Sequence, residues 1–267
     1  MSMNSGLILL LSIAVAVGGL ASFLGIGGGS ILVPTLHLFL GYSMRAAVGT
    51  SLAVVVFTAS SATLEYCRQR RVDPLIVAVL APAAVVGALV GAWLTPFFDE
   101  QSIKAVFAAI LGYASLRMME VLPSPAGKRT FFLGPSIKRR LVDSEGEVFD
   151  YELNAATLLT VALLTGLISG FIGIGGGIVL VPAMVLMGVP VHVAIASSSA
   201  SIAVSSIASS STHALLGNVR TDHLLPLLTG VVVGAQLGSR VARKTPPRRL
   251  RRVFGVVLLL VAARMLL

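Results

Sequence analysis

The groups in this chain best spaced for chemistry are backbone amides. Gly-Ile-Gly-Gly-Gly occupies positions 25–29 and again positions 173–177, and each copy leads to a proline, Pro34 and Pro182. Gly27, Gly28 and Gly29, like Gly175, Gly176 and Gly177, present N–H groups close together with no side chains in the way. Glycine costs about 1 kcal/mol against alanine in a helix interior, so such a run should stop a helix. The apolar stretch after each motif should start a new one, placing its positive dipole end beside the free amides. Amides and dipole together suit an oxyanion. The chemistry is recognition, with no bond made or broken. Ser30 adds a hydroxyl after the first copy, where the second copy has Ile178.

Hydroxyls form the next group. Thr50 and Ser51 follow the first motif, and Ser197 and Ser198 follow the second. Each pair sits about two turns into a helix, roughly 10 Å deep at 1.5 Å per residue. There they can donate to an anion's oxygens. Seven more serines and threonines follow between Ser201 and Thr212, too many to be ligands, and most should bond back to their own helix. His213 and Gln236 complete the candidates, because a polar group within a span is a functional hypothesis by default. His37, His192 and Arg45 sit in or beside short helices and entrances. Arg117 and Arg264 sit at segment ends, where long side chains snorkel. No carboxylate lies deep in any span. No triad, carboxylate pair or metal-ligand spacing occurs, and neither the dinucleotide fingerprint nor a P-loop lysine is present. No enzyme activity, cofactor or metal is expected.

Elements must hold these groups, and they come in duplicate. The motifs match at an offset of 148. After one deletion the offset is 147: Thr50 meets Ser197, Gly87 meets Gly234, and Gly91 meets Gly238. The halves are 1–122 and 152–267, joined by a polar surface linker, 123–151. Apolar segments are expected at 6–24, 30–40, 44–66, 74–95 and 102–122. Their counterparts are 153–172, 178–188, 191–213, 223–243 and 250–267. The two short pieces after the motifs would reach about 16 Å as helices, half-way across a bilayer core. The scattered glycines Gly87, Gly91, Gly234 and Gly238 read as close helix packing.

Composition makes the bilayer the solvent. The 267 residues are 56% hydrophobic and 12% charged, against roughly 25% charged in soluble chains. Apolar stretches near the length that crosses about 30 Å of hydrocarbon recur throughout. The net charge of +9 then reads as loop lysine and arginine that set topology, not as a nucleic-acid surface. The lone Cys67 excludes an internal disulfide and reads as a helix-end residue. The N-terminal segment lacks a basic leader region and is kept as a span.

Loop charges orient the halves. Arg68, Arg70 and Arg71 follow the third segment of the first half. In the second half the corresponding loop carries only Arg220, while the next carries seven basic residues. Equivalent loops thus prefer opposite faces, and the linker falls on the cytoplasmic side. The expected fold is an all-α polytopic membrane protein of two inverted repeats. Each repeat holds a hairpin broken at GIGGG, giving about eight full spans plus two short half-helices. Parallel halves are the alternative.

The doubled GIGGG-x(4)-P element, the hydroxyl pair after it and the two membrane halves resemble the sulfite exporter TauE/SafE family. That resemblance covers essentially the whole chain. It implies a secondary transporter of the bacterial cytoplasmic membrane that moves sulfite, organosulfonates or related sulfur-containing anions, often outward. The implied partners are that small anion and the bilayer, with a coupling ion (H⁺ or Na⁺) and a second copy of the chain left open. A passive anion channel is the competing reading, as is a carrier for another small organic anion.

Overall fold

A computed structural model describes residues 3–99, 101, 102, 105, 108, 109, 112, 113, 115, 116, 119, 136–173 and 175–266. The span expected over 102–122 lies largely outside these residues. So do the linker up to residue 135, Arg117 and the side chain of Arg264.

In the first half lie α1 (Met3–Leu24), α2 (Gly29–Leu40), α3 (Met44–Arg68) and α4 (Pro74–Leu94). In the second lie α5 (Ala155–Ile172), α6 (Gly177–Leu186), α7 (Val191–Leu215), α8 (Leu224–Arg243) and α9 (Pro247–Leu266). Among the described residues, five helices are long and apolar enough to cross a membrane: Met44–Arg68, Pro74–Phe97, Ala155–Ile172, Val191–Leu215 and Leu224–Arg243. Leu10–Leu24, Gly29–Leu40 and Gly177–Leu186 are apolar but shorter.

Local chemistry sets the boundaries. Ser43 caps α3 by accepting the Ala46 amide, and Asn154 caps α5 by accepting the Thr157 amide. Asp73 accepts the Leu75 amide ahead of α4, whose first residue is Pro74. Side-chain caps of this kind satisfy N–H groups that the first turn leaves orphaned, and proline suits the first helical position. α2 and α6 begin differently. Their N-caps, Gly28 and Gly176, have φ of 101° and 78°, with no side-chain cap. Only glycine holds that left-handed backbone without strain.

Helices meet through small residues. A Cβ added at Gly91 would lie 2.0 Å from the Leu167 carbonyl oxygen, so α4 and α5 touch backbone to backbone. At Gly238 it would lie 2.0 Å from the Gly19 carbonyl oxygen, joining α8 to α1 in the same way. At the centre, α3 packs on α7. Gly49, near the start of α3, abuts the Asn218 backbone just beyond the end of α7. The two helices therefore run antiparallel. Val55 and Ile202 meet between them in a small buried cluster with Ala59.

One expectation needs correction. The fold is not purely helical, because strands form within and just beyond the stretch expected as a polar surface linker over 123–151. β1 (Ile137–Val142) and β2 (Val148–Leu153) form an antiparallel hairpin with Arg139 opposite Tyr151. β2 alternates strictly: Phe149, Tyr151 and Leu153 are buried, whereas Val148, Asp150 and Glu152 are exposed. That period of two is the mark of a half-buried strand. Part of the charge is paired inward, while Lys138, Arg140, Asp150 and Glu152 stay exposed. Arg71 donates to Asp143 from Nε and Nη2, at 3.0 and 2.7 Å, and both residues are buried.

Candidate functional site

The two glycine motifs meet. A Cβ at Gly27 would lie 3.8 Å from the Gly175 Cα and within 3.1 Å of Ile202 and Val55 side-chain carbons. One at Gly177 would lie 2.2 Å from the Gly25 carbonyl oxygen. The breaks are thus packed against each other and closed over by Val55 and Ile202. Gly28 faces Ala21, Thr58 and Val17, while Gly176 faces Thr165 and Ser169.

The hydroxyl pairs brace these breaks reciprocally. Ser51 donates to the Gly173 carbonyl at 2.9 Å, and Ser198 donates to the Gly25 carbonyl at 2.9 Å. Adding 147 to 51 gives 198, and adding 148 to 25 gives 173, so each bond is the other's counterpart. Thr50 accepts the Arg220 amide at 2.9 Å, and Ser197 accepts the Asp73 amide at 3.0 Å. Those positions are also 147 apart. Tyr66 donates to the Ser22 carbonyl at 2.5 Å, and His213 Nε2 lies 3.0 Å from the Gly170 carbonyl. Ser51 and Ser198 therefore hold backbone at the breaks, while Thr50 and Ser197 hold the loops before α8 and α4.

His213 and Gln236 do a different job. His213 is fully buried, and Asn218 lies 3.2 Å from its other ring nitrogen. It ties the end of α7 to α5. Gln236 donates to the Ser61 carbonyl at 2.8 Å, joining α8 to α3. Neither bonds to a described GIGGG residue.

Ser30 stands apart. It is fully buried in the first turn of α2, and its hydroxyl has no hydrogen-bond partner among the described residues. The same holds for the hydroxyls of Ser22, near the end of α1, and Ser201, in α7. The amides of Gly27, Gly28, Gly29 and Ser30 also lack partners among the described residues; the first bonded amide of that turn is Ile31, which donates to the Gly28 carbonyl. A buried hydroxyl left unpaired costs about 1–3 kcal/mol. Polar groups left open in this way, at the positive end of a helix, can donate to oxygen acceptors. The counterparts of the three serines are Ile178, Gly170 and Val54, so these hydroxyls have no equivalent in the opposite half.

Ser22, Ser201, Tyr66 and Asp73 were not singled out by sequence reasoning. The 147 offset pairs Tyr66 with His213 and was signal enough to find Tyr66. Nothing in the sequence separates Ser22 and Ser201 from their many serine neighbours. No cluster of three His, Cys, Asp or Glu residues that could hold a metal occurs among the described residues.

Comparison with known proteins fits a transporter. A family model described as "Sulfite exporter TauE/SafE" matches residues 10–265. The chain is 30% identical over 268 residues to the probable membrane transporter protein YunE of Bacillus subtilis (strain 168), covering 97% of each. It is 25% identical over 274 residues to a probable membrane transporter protein of Methanocaldococcus jannaschii, covering 97% of this chain and 95% of that one. It also matches the probable membrane transporter protein MamO of Paramagnetospirillum magneticum (27% identity), where 96% of this chain aligns with 44% of that protein. No solved structure matches.

Proposed function

Because the chain belongs to the sulfite exporter TauE/SafE family, an integral membrane transporter family and not an enzyme family, we propose that it is a secondary transporter of small sulfur-containing anions. Sulfite and organosulfonates are the proposed substrates, and export is the proposed direction. The anion sits at the start of α2, against the amides of Gly27, Gly28 and Gly29 and the Ser30 hydroxyl. The observation that carries this reading is the buried, unpartnered Ser30 hydroxyl beside unpartnered amides at a helix N-terminus. A sulfonate stays ionised throughout the physiological range. Neutral donors can therefore hold it without a fixed cation that would retain it too tightly.

Two inverted halves would carry it by alternating access. The antiparallel run of α3 and α7, and the bonds that recur between positions 147 or 148 apart, support that arrangement. If both helices cross the bilayer, equivalent elements cross it in opposite senses. The second break, with Gly175, Gly176 and Gly177, forms the other wall. On this reading the linker hairpin is cytoplasmic and the protein resides in the cytoplasmic membrane.

Counterflow in proteoliposomes tests the proposal. Sulfite or taurine loaded on one side should drive saturable, uphill exchange of labelled sulfite, sensitive to a proton or sodium gradient. Flux that only runs downhill would identify a passive channel. Absence of exchange with both anions would remove the sulfur-anion assignment.

A further inference from the structure

Two places related by the 147 offset differ in exposure. One lies at the start of α3, beside the loop between α7 and α8. It is open: a cavity of about 430 Å³ is lined by Ser43, Ala46, Asn218, Arg220 and Asp222, among others. The other lies at the start of α7, beside the loop between α3 and α4. Adding 147 converts Ala46 to Val193, and subtracting 147 converts Asn218 to Arg71 and Arg220 to Asp73. Val193, Arg71 and Asp73 are all buried.

The hairpin holds Arg71 and Asp73. Arg139 on β1 donates to both Asp73 oxygens, at 3.0 and 2.8 Å, and the Tyr151 hydroxyl on β2 donates to Asp73 at 2.5 Å. At the hairpin turn, Asp143 accepts from Arg71 and from the Glu145 and Glu147 amides. Arg71 also stacks 5.8 Å above the Phe149 ring, and the Ser144 amide donates to the Gln69 carbonyl. Asp73 is the same residue whose amide donates to Ser197. The hairpin is thus one bond from the hydroxyl that follows the second break.

We propose that the β1–β2 hairpin is a latch that closes the mouth at the start of α7, and that its release from Asp73 and Arg71 opens that face of the carrier. The inference rests on the transporter reading, which requires two mouths. Its grip combines these charge pairs with an apolar seam, since Phe149, Tyr151 and Leu153 are buried in the core. The opposite mouth has no such hairpin among the described residues, so the two faces are gated by unequal means.

Thiol labelling of the full chain in lipid nanodiscs tests this, with Cys67→Ser as background and a membrane-impermeant maleimide that reaches both faces. Val193→Cys should label slowly and Ala46→Cys quickly. Adding Arg139→Ala should accelerate Val193→Cys labelling about tenfold or more, since it leaves a buried charge unpaired, and should leave the Ala46→Cys rate unchanged. Tyr151→Phe is the milder variant, should Arg139→Ala fail to fold, and should shift the same rate in the same direction. An unchanged Val193→Cys rate overturns the latch. Equal acceleration at both positions also overturns it, by showing a general brace. The readout needs no substrate, so a failed latch and a failed sulfur-anion assignment remain separate results.

Discussion

At the scale of single residues, Ser30 and Ser198 are both buried serines near a glycine break, yet they carry opposite burdens. Ser198 closes a bond to the Gly25 carbonyl, while the Ser30 hydroxyl closes none among the described residues. Ser198→Ala should therefore lower stability by about 1–3 kcal/mol, because it strands a buried carbonyl. Ser30→Ala should cost little stability, or even gain some, while weakening sulfite exchange. Thermal melts and exchange KM on the two variants check this pair. Equal melting losses would mean that Ser30 has a structural partner in the membrane. The sequence showed both serines but not the difference between them. Which hydroxyl is used depends on a carbonyl 173 residues away, and local pattern carries no such information.

At the scale of elements, the hairpin is held by carboxylates, so acid should loosen it. Burial pushes the Asp73 carboxyl up, but the bonds from Arg139, Tyr151 and the Leu75 amide outweigh it and hold it below the ordinary value of 3.8. Asp143 follows the same logic: burial raises it, and Arg71 with two backbone amides brings it lower. A depressed carboxyl contributes stability that is fully present above its unfolded value and is lost as pH falls through the folded one. The melting temperature should therefore show no loss from these two groups between about pH 8 and 5, and should drop below about pH 4. Asp73→Asn should flatten that acid limb. The hairpin itself was legible in principle. Phe149, Tyr151 and Leu153 alternate with polar residues, but the surrounding charge argued for solvent and masked the period of two. The broken helices were the opposite case. Four glycines in five positions leave a helix little choice, and the structure ends α1 at Leu24 and starts α2 at Gly29.

At the scale of the whole molecule, the central prediction is equivalence. Gly91 and Gly238 occupy matched positions, and at each a Cβ would come within 2.0 Å of a backbone oxygen on a neighbouring helix. Backbone cannot yield as a side chain tip can. Gly91→Leu and Gly238→Leu should each cost several kcal/mol, about as much as severe core overpacking, and should do so to a similar extent. A large loss at one site with none at the other would break the equivalence of the α4–α5 and α1–α8 seams. The matched glycines were visible in the sequence as an offset, but their partners were not: α1 packs on α8 and α5 on α4, each across the midline of the chain. The reciprocal serine bonds have the same reach, and this has a consequence in time. The Gly25 carbonyl waits for Ser198, which at about 5–20 residues per second leaves the ribosome roughly 10 to 35 seconds later. Until then the first break enters the membrane without its brace, and a nascent chain halted before α7 should remain a target for membrane quality control however well its early helices have inserted.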